Sequence, residues 1–284
     1  KTGLDIEYLD VGGGLGVDYD GSRTSFNSSI NYSLQEYVND IVYTIQEVCA
    51  AEEVPEPNIV SESGRALVAH HSLLILDVFG NIEVGASPYL LEQTPDENDV
   101  VRELRDVLGS ITPKNLLESY HDALQRKEEA SSMFNLGFLD LVDKAKVENL
   151  FWKICHSIAK SAVGQRFVHE ELVNMSKHLA DQYLCNFSLF QSAPDHWAIQ
   201  HLFPIAPIHR LNEEPTKAAT LVDITCDSDG KVDKFIDLKD VRDTLPLHPI
   251  LNDQPYYLGM FLMGAYQDIM GDVHNLFGRV NEVH

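Results

Sequence analysis

The sequence predicts a mixed fold in three parts: a parallel α/β portion over residues 1–94, a helical insertion over 95–185 and a β-domain with a C-terminal helix over 186–284. Three observations predict it. A strand, a helix and a second strand follow one another within about sixty residues at the start, as in the repeating unit of a barrel or a doubly wound sheet. From Pro95 to Leu184 apolar residues recur at helical spacing with few strand signals. Beyond Asn186 the period shortens to alternation on both sides of an Asp-Gly pair.

Residues 4–11 read as a buried strand, and three consecutive glycines, Gly12, Gly13 and Gly14, follow it, with Gly16 two positions later. Without a Cβ, such a cluster lets backbone amides approach an anion at close range, and a phosphate is the obvious tenant. The dinucleotide pattern G-x-G-x-x-G fails here, because its last position, traced from Gly12 and Gly14, is Val17. Tyr32–Glu53 places Leu34, Val38, Ile41, Val42, Ile45, Val48 and Cys49 at three- and four-residue steps, an amphipathic helix. VPEPN breaks the chain. Ile59–Val84 then supplies apolar runs interrupted by SESGR. Two strands of this kind do not complete a sheet.

The middle third holds three or four helices, in Lys114–Phe134, Leu141–Ala162 and His169–Leu184 among other stretches. Their apolar stripes read as core and their charges as solvated faces. Further on, NFSLFQS and LFPIAPI turn towards β-structure, and Ala218–Leu238 forms a hairpin about Asp229 and Gly230, which puts Cys226 and Asp227 at a strand end beside the turn. Asp227, Asp229 and Asp233 fall short of a calcium loop, which needs a further acidic ligand and a terminal Glu. Tyr256–Gly278 is apolar and glycine-rich, consistent with a buried turn and helix near a ligand.

With 284 residues, 44% of them hydrophobic, the chain can bury a large core. Lys and Arg number 21 against 44 Asp and Glu, a net charge of -23, so its field repels nucleic acid and anionic membranes and favours cationic partners. No apolar run is long enough for a transmembrane helix and no signal peptide is visible. Cys49, Cys155, Cys185 and Cys226 lie far apart with no C-x-x-C pair, which fits reduced thiols in a cytoplasm. The pairs His70-His71 and Asp195-His196 read as packing or pocket residues, and no metal ligand is assigned.

Taken together, DVGGGLGVDYDG, ESGRALVAHH, NFSLFQSAPDHW, DITCDSDG and GAYQDIMGDVHNLFG resemble the pyridoxal-phosphate decarboxylases built on an alanine-racemase-like barrel plus a β-domain. Within that group they resemble the bacterial biosynthetic arginine decarboxylases, and the resemblance spans essentially the whole chain. It implies a fold type III decarboxylase, here the C-terminal part of a TIM-like barrel, the helical insertion and the β-domain. It also implies decarboxylation of L-arginine to agmatine in polyamine and spermidine biosynthesis, with pyridoxal 5'-phosphate as cofactor and magnesium as an associated ion. In this reading Gly12, Gly13, Gly14, Arg65 and Tyr266 hold the phosphate, and Glu62 keeps the pyridine nitrogen protonated. Cys226 returns the proton to Cα and Asp227 meets the cationic end of the substrate, both across a dimer interface. Asp195 is a second carboxylate for the guanidinium, and Asp18 and Tyr19 line the pocket. The Schiff-base lysine belongs to an early barrel strand outside this chain, so the chain reads as an internal piece of a longer polypeptide, inactive alone. Two rival expectations are a decarboxylase of another basic or dicarboxylic amino acid, and a non-catalytic decarboxylase-like oligomerisation or regulatory module.

Overall fold

Tyr8–Asp10 (β1) and Asn58–Val60 (β2) pair in parallel, Tyr8 against Asn58 and Asp10 against Val60, across the helix Leu34–Glu52 (α1). This is the expected strand, helix, strand unit. The computed structural model that describes it covers residues 6–85, 92–227, 229–237, 241–251, 254–274 and 278–284. Helix α1 begins where the sequence provides a capping box: the Ser33 hydroxyl accepts the Glu36 amide, and the Glu36 carboxylate accepts the Ser33 amide at 2.7 Å. It ends at Glu53, whose left-handed backbone (φ 53°) stops the helix.

Packing divides the chain into two units. The first comprises Lys1–Asn81, Tyr183–Thr216 and Thr220–His284; the second comprises Ile82–Gln182 and Lys217–Ala219. In the first unit, Gly64–Val68 (α2) and a turn of 3-10 helix at Ala69–His71 lead into Leu74–Ile82 (β3). The later elements of the chain are Asp181–Cys185 (β4), Ile205–Pro207 (β5), Lys217–Val222 (β6), Lys231–Val232 (β7), Phe235–Ile236 (β8), Val241–Arg242 (β9), Leu245–Leu247 (β10) and Tyr257–Met260 (β11). One sheet runs in the order β10-β6-β4-β3-β11-β5, with β7 paired to β6, and β8 pairs with β9 separately. Leu76, Val78, Tyr183, Leu221, Leu247, Leu258 and Met260 are buried on these strands. Each such side chain contributes about 1.5–3 kcal/mol of burial.

Several expectations change here. The strand predicted over 4–11 is short and its side chains are exposed, Tyr8 at 62%, because β1 has one partner strand and no cover among the described residues; residues 4 and 5 lie outside those described. For the same reason α1 buries only Cys49 of its apolar stripe. Strand β3 pairs antiparallel with β11, Leu76 against Leu258, rather than in parallel with β2. The stretch NFSLFQS is a loop, and the strand precedes it: Asn186 meets Asp77 through both its amide and its side-chain oxygen, and the Leu189 amide turns to the Asp223 carboxylate. In place of the expected C-terminal helix, β11 is followed by turns, since Leu262 and Tyr266 hold left-handed backbone (φ 62° and 71°) that a helix does not admit.

The second unit holds four helices among the described residues: Asp99–Ser110 (α3), Leu116–Asn135 (α4), Leu141–Ala162 (α5) and Glu170–Lys177 (α6). The Asn98 and Asp140 side chains accept amides in the first turns of α3 and α5, as N-caps do. Leu104, Ala123, Val147, Leu150, Ile154, Ile158 and Met175 form its core. Beside that core, the Glu97 carboxylate receives Arg105 at 2.7 Å and Lys146 at 3.1 Å, and Lys146 also donates to Thr94. No helix among the described residues is long and apolar enough to cross a membrane.

Candidate functional site

The glycine cluster is tied to the segment after β2. The Glu62 amide donates to the Gly12 carbonyl at 2.8 Å, and a Cβ on Gly13 would lie 2.9 Å from the Glu62 carbonyl, so only glycine allows this approach. Gly12 and Gly14 take left-handed backbone (φ 79° and 87°), and the Asp10 carboxylate accepts the Gly12 amide. The loop is thus fixed at its base, with Gly13 and Gly14 exposed. Glu62 itself is exposed at the turn into α2.

One turn further, Arg65 gathers most of the remaining predicted residues. Its guanidinium donates to the Tyr19 hydroxyl at 2.9 Å, pairs with Asp195 at 3.4 Å, and stands 4.8 Å from the centre of the Tyr266 ring. Asp195 lies in the short helix Pro194–Ile199 (α7), entered through Ala193 in the left-handed region. Tyr266 is brought close because Gly264 donates to the Ala69 carbonyl and Met263 to that of Ser72, joining the GAY turn to the end of α2. Tyr19 is buried edge-on against His201 (4.2 Å) and Phe203 (5.6 Å). Asp18 is held by Ser29 at 2.7 Å; burial raises its carboxyl, and the hydrogen bonds from Ser29 and the Arg23 and Gly21 amides outweigh that and leave it below the usual carboxylate range. An open cavity of about 400 Å³ is lined by Asp18, Arg23, Asn31, Tyr32 and Glu36 among others.

Two residues of this cluster gave no signal in the sequence. Gln267 is buried and clasps Asp195 twice, donating to its carboxylate at 2.8 Å and accepting its amide at 3.2 Å. His201 lies between Tyr19 and Phe203 with its Nε2 buried and unpartnered. Burial, then repulsion by Arg65, pushes its imidazole down to about 4 against the pull of Asp195. Gln267 lies within the stretch GAYQDIMGDVHNLFG, but nothing in that stretch marks it out from its neighbours, and His201 sits in no periodic pattern or motif. His71 and His196 bond carbonyls, of Val68 and His201 respectively.

Cys226 and Asp227 stand elsewhere, exposed on the loop Asp223–Gly230 between β6 and β7. The hairpin forms, with Leu221 opposite Val232, but its connection is this longer loop rather than a tight Asp-Gly turn. None of the contacts among the described residues joins Cys226 or Asp227 to Arg65, Glu62 or the glycines. The other cysteines are buried, and burial pushes the thiols of Cys155 and Cys185 up to about 12, which leaves them inert.

A guanidinium, a phenol and a glycine-rich loop are group types that suit a phosphate monoester. The described residues hold no group of three or more His, Cys, Asp or Glu able to bind a metal ion.

Comparison with known proteins gives the chain's relatives. Residues 1–69 match the pyridoxal-binding domain of pyridoxal-dependent decarboxylases, and residues 94–175 match the arginine decarboxylase helical bundle domain. The chain is 57% identical over its whole length to the biosynthetic arginine decarboxylase of Deinococcus radiodurans, covering 43% of that protein. It is 51% identical, again over its whole length, to biosynthetic arginine decarboxylase 1 of Synechocystis, covering 42%. The crystal structure of the biosynthetic arginine decarboxylase from Campylobacter jejuni superposes with a TM-score of 0.77 at 36% identity, covering 96% of this chain and 42% of the other. The chain therefore spans less than half the length of the curated relatives it matches.

Proposed function

We infer that this chain, which belongs over its whole length to the biosynthetic arginine decarboxylase family, serves the pyridoxal-phosphate-dependent decarboxylation of L-arginine to agmatine in polyamine synthesis. The observation that carries the reading is the convergence of the glycine loop, Glu62, Arg65 and Tyr266 from three separate segments on one neighbourhood.

Gly13 and Gly14 offer amides to the cofactor phosphate, Gly12, whose own amide is held by Asp10, shapes the loop, Arg65 gives the phosphate a planar cationic fork and Tyr266 a hydroxyl. Pyridoxal phosphate, when bound, supplies the electron sink for the pair left on Cα as carbon dioxide departs. Glu62 favours the protonated ring nitrogen by placing a negative charge beside it. Cys226 delivers a proton to Cα, and its exposure leaves the thiol free to do so. Asp227 and Asp195 meet the substrate guanidinium, and Asp18 and Tyr19 line the pocket.

In the same reading, drawn from the family resemblance, Cys226 and Asp227 serve the site of a neighbouring copy and the working form is at least a dimer; their exposure on a loop is compatible with that. Free cysteines support a cytoplasmic setting. The division at 94 and 185 into barrel part, insertion and β-domain belongs to the same reading.

The test uses the full polypeptide that carries residues 1–284. Added pyridoxal phosphate produces a protein-bound absorbance band, and arginine is converted to agmatine. Arg65→Ala weakens cofactor binding at least tenfold. Formation of no agmatine together with no cofactor absorbance overturns the proposal.

A further inference from the structure

Asp223 is an acidic residue almost wholly buried at the base of the exposed loop that carries Cys226 and Asp227. A buried carboxylate is retained only where its lone pairs are met, and here every partner belongs to the loop or its support. One oxygen accepts the Leu189 amide at 2.8 Å; the other accepts the Thr225 amide at 3.1 Å; both accept the Thr225 hydroxyl, at 3.0 and 2.9 Å. The Thr225 oxygen in turn accepts the Asp227 amide at 3.3 Å, and the Asp227 carboxylate accepts the Asp229 amide at 3.0 Å. At the far end of the loop Gly230 returns against the same carboxylate: its carbonyl accepts the Asp223 amide at 2.8 Å, and any Cβ there would overlap the carboxylate oxygens.

We infer that Asp223, acting through Thr225 and closed in by Gly230, is the positioning group that fixes Cys226 and Asp227 for the decarboxylation reaction. The inference rests on the proposed function, since it assigns Cys226 and Asp227 the roles given above. Exposed loops are ordinarily mobile, and a proton donor works only when held within about 3 Å of its target. The relay from a buried carboxylate to a hydroxyl to the amide next to the thiol removes that freedom without touching the reacting groups. Gly230 is thereby explained by close packing on Asp223; its φ is not in the left-handed region.

The test compares Thr225→Val, Thr225→Ser and Gly230→Ala in the full polypeptide. Thr225→Val keeps shape and burial but deletes the hydroxyl and both of its links, to Asp223 and from the Asp227 amide, and is expected to lower kcat about tenfold by loosening the loop that holds Cys226. Cofactor affinity, read by absorbance titration, stays at the wild-type value, and Thr225→Ser restores kcat. The rate of Cys226 alkylation by iodoacetamide, with its pH profile, changes in Thr225→Val and in Gly230→Ala, a readout independent of turnover. Wild-type kcat together with an unchanged alkylation profile in Thr225→Val overturns the inference. Cys226→Ala separates the two proposals: if it retains full kcat, the role given to the thiol fails, whereas loss of activity in Cys226→Ala with none in Thr225→Val sinks the positioning role alone.

Discussion

His201 sets the pH behaviour of the cluster around Arg65. Its imidazole is held at about 4 in the folded protein, first by burial and then by the guanidinium, against 6.5 when exposed. The unfolded chain therefore binds the proton first as pH falls, so the folded state loses stability from about 6.5 down to about 4. His201→Phe keeps the edge-on ring packing on Tyr19 and Phe203 while removing that titration. Its urea-unfolding free energy should accordingly show a flatter slope between pH 7 and pH 5 than the wild type does; equal slopes would assign the acid sensitivity elsewhere. At this scale the sequence was readable wherever a residue type implied its own chemistry. Gly12–Gly14 was readable as a loop that needs missing side chains, and the structure gives each a reason: left-handed backbone at Gly12 and Gly14, and the approach of the Glu62 carbonyl at Gly13. Gln267 announced nothing, since its meaning lies in one contact with Asp195, 72 positions earlier. Gly230 was readable as a special glycine, but the reason differed: close packing on a buried carboxylate, not turn geometry.

Among the elements, α3 and α5 are joined through charge as well as through their apolar faces. Glu97, just before α3, receives Arg105 of α3 and Lys146 of α5, and all three side chains are largely buried. Hydrogen bonding from Arg105, opposed by burial and reinforced by Lys146, holds the Glu97 carboxyl down to about 2. A carboxyl depressed from 4.5 contributes stability that is complete above that value and is lost as pH falls towards 2. Replacing it, as in Glu97→Gln, takes the shared carboxylate from two cations, leaving Lys146 with Asp143 at 3.6 Å and Thr94, and Arg105 with the Glu92 carbonyl. The loss should cost roughly 1.5–3 kcal/mol at pH 7, with much less difference from wild type near pH 2. Chemical denaturation followed by circular dichroism at the two pH values decides it, and an equal deficit at both would refute the ionic account. Helices were the most legible elements, because a 3.6-residue period is a local fact. Strand pairing was less so. Nothing in Leu74–Ile82 tells whether it continues a parallel sheet or meets β11 some 180 residues later, about as long-range a choice as a domain of this size offers.

For the molecule as a whole, the functional cluster draws on four distant segments, around Gly13, Arg65, Asp195 and Tyr266, and sequence alone joined them only through the family resemblance. Residues at such separations meet because strands place them together, and no local period encodes that. The second unit is the opposite case. Its core is built from α3, α4, α5 and α6, which follow one another directly, so its contacts close within one continuous stretch of the chain. Leu104, Leu150, Ile154, Cys155 and Ile158 are essentially inaccessible, and the Glu97–Arg105–Lys146 group lies within the same stretch. The chain leaves the main sheet from β3 and returns to it as β4, which is the strand next to β3 in that sheet, so the helical stretch interrupts no pairing. A segment with its own core and local connections should fold when excised. Residues 92–180, produced alone, are accordingly expected to give a helical far-ultraviolet spectrum and a single cooperative thermal transition, and Leu150→Ala should lower that stability by about 2–5 kcal/mol. A broad, non-cooperative melt that Leu150→Ala leaves unchanged would mean that the four helices depend on the rest of the chain for their order.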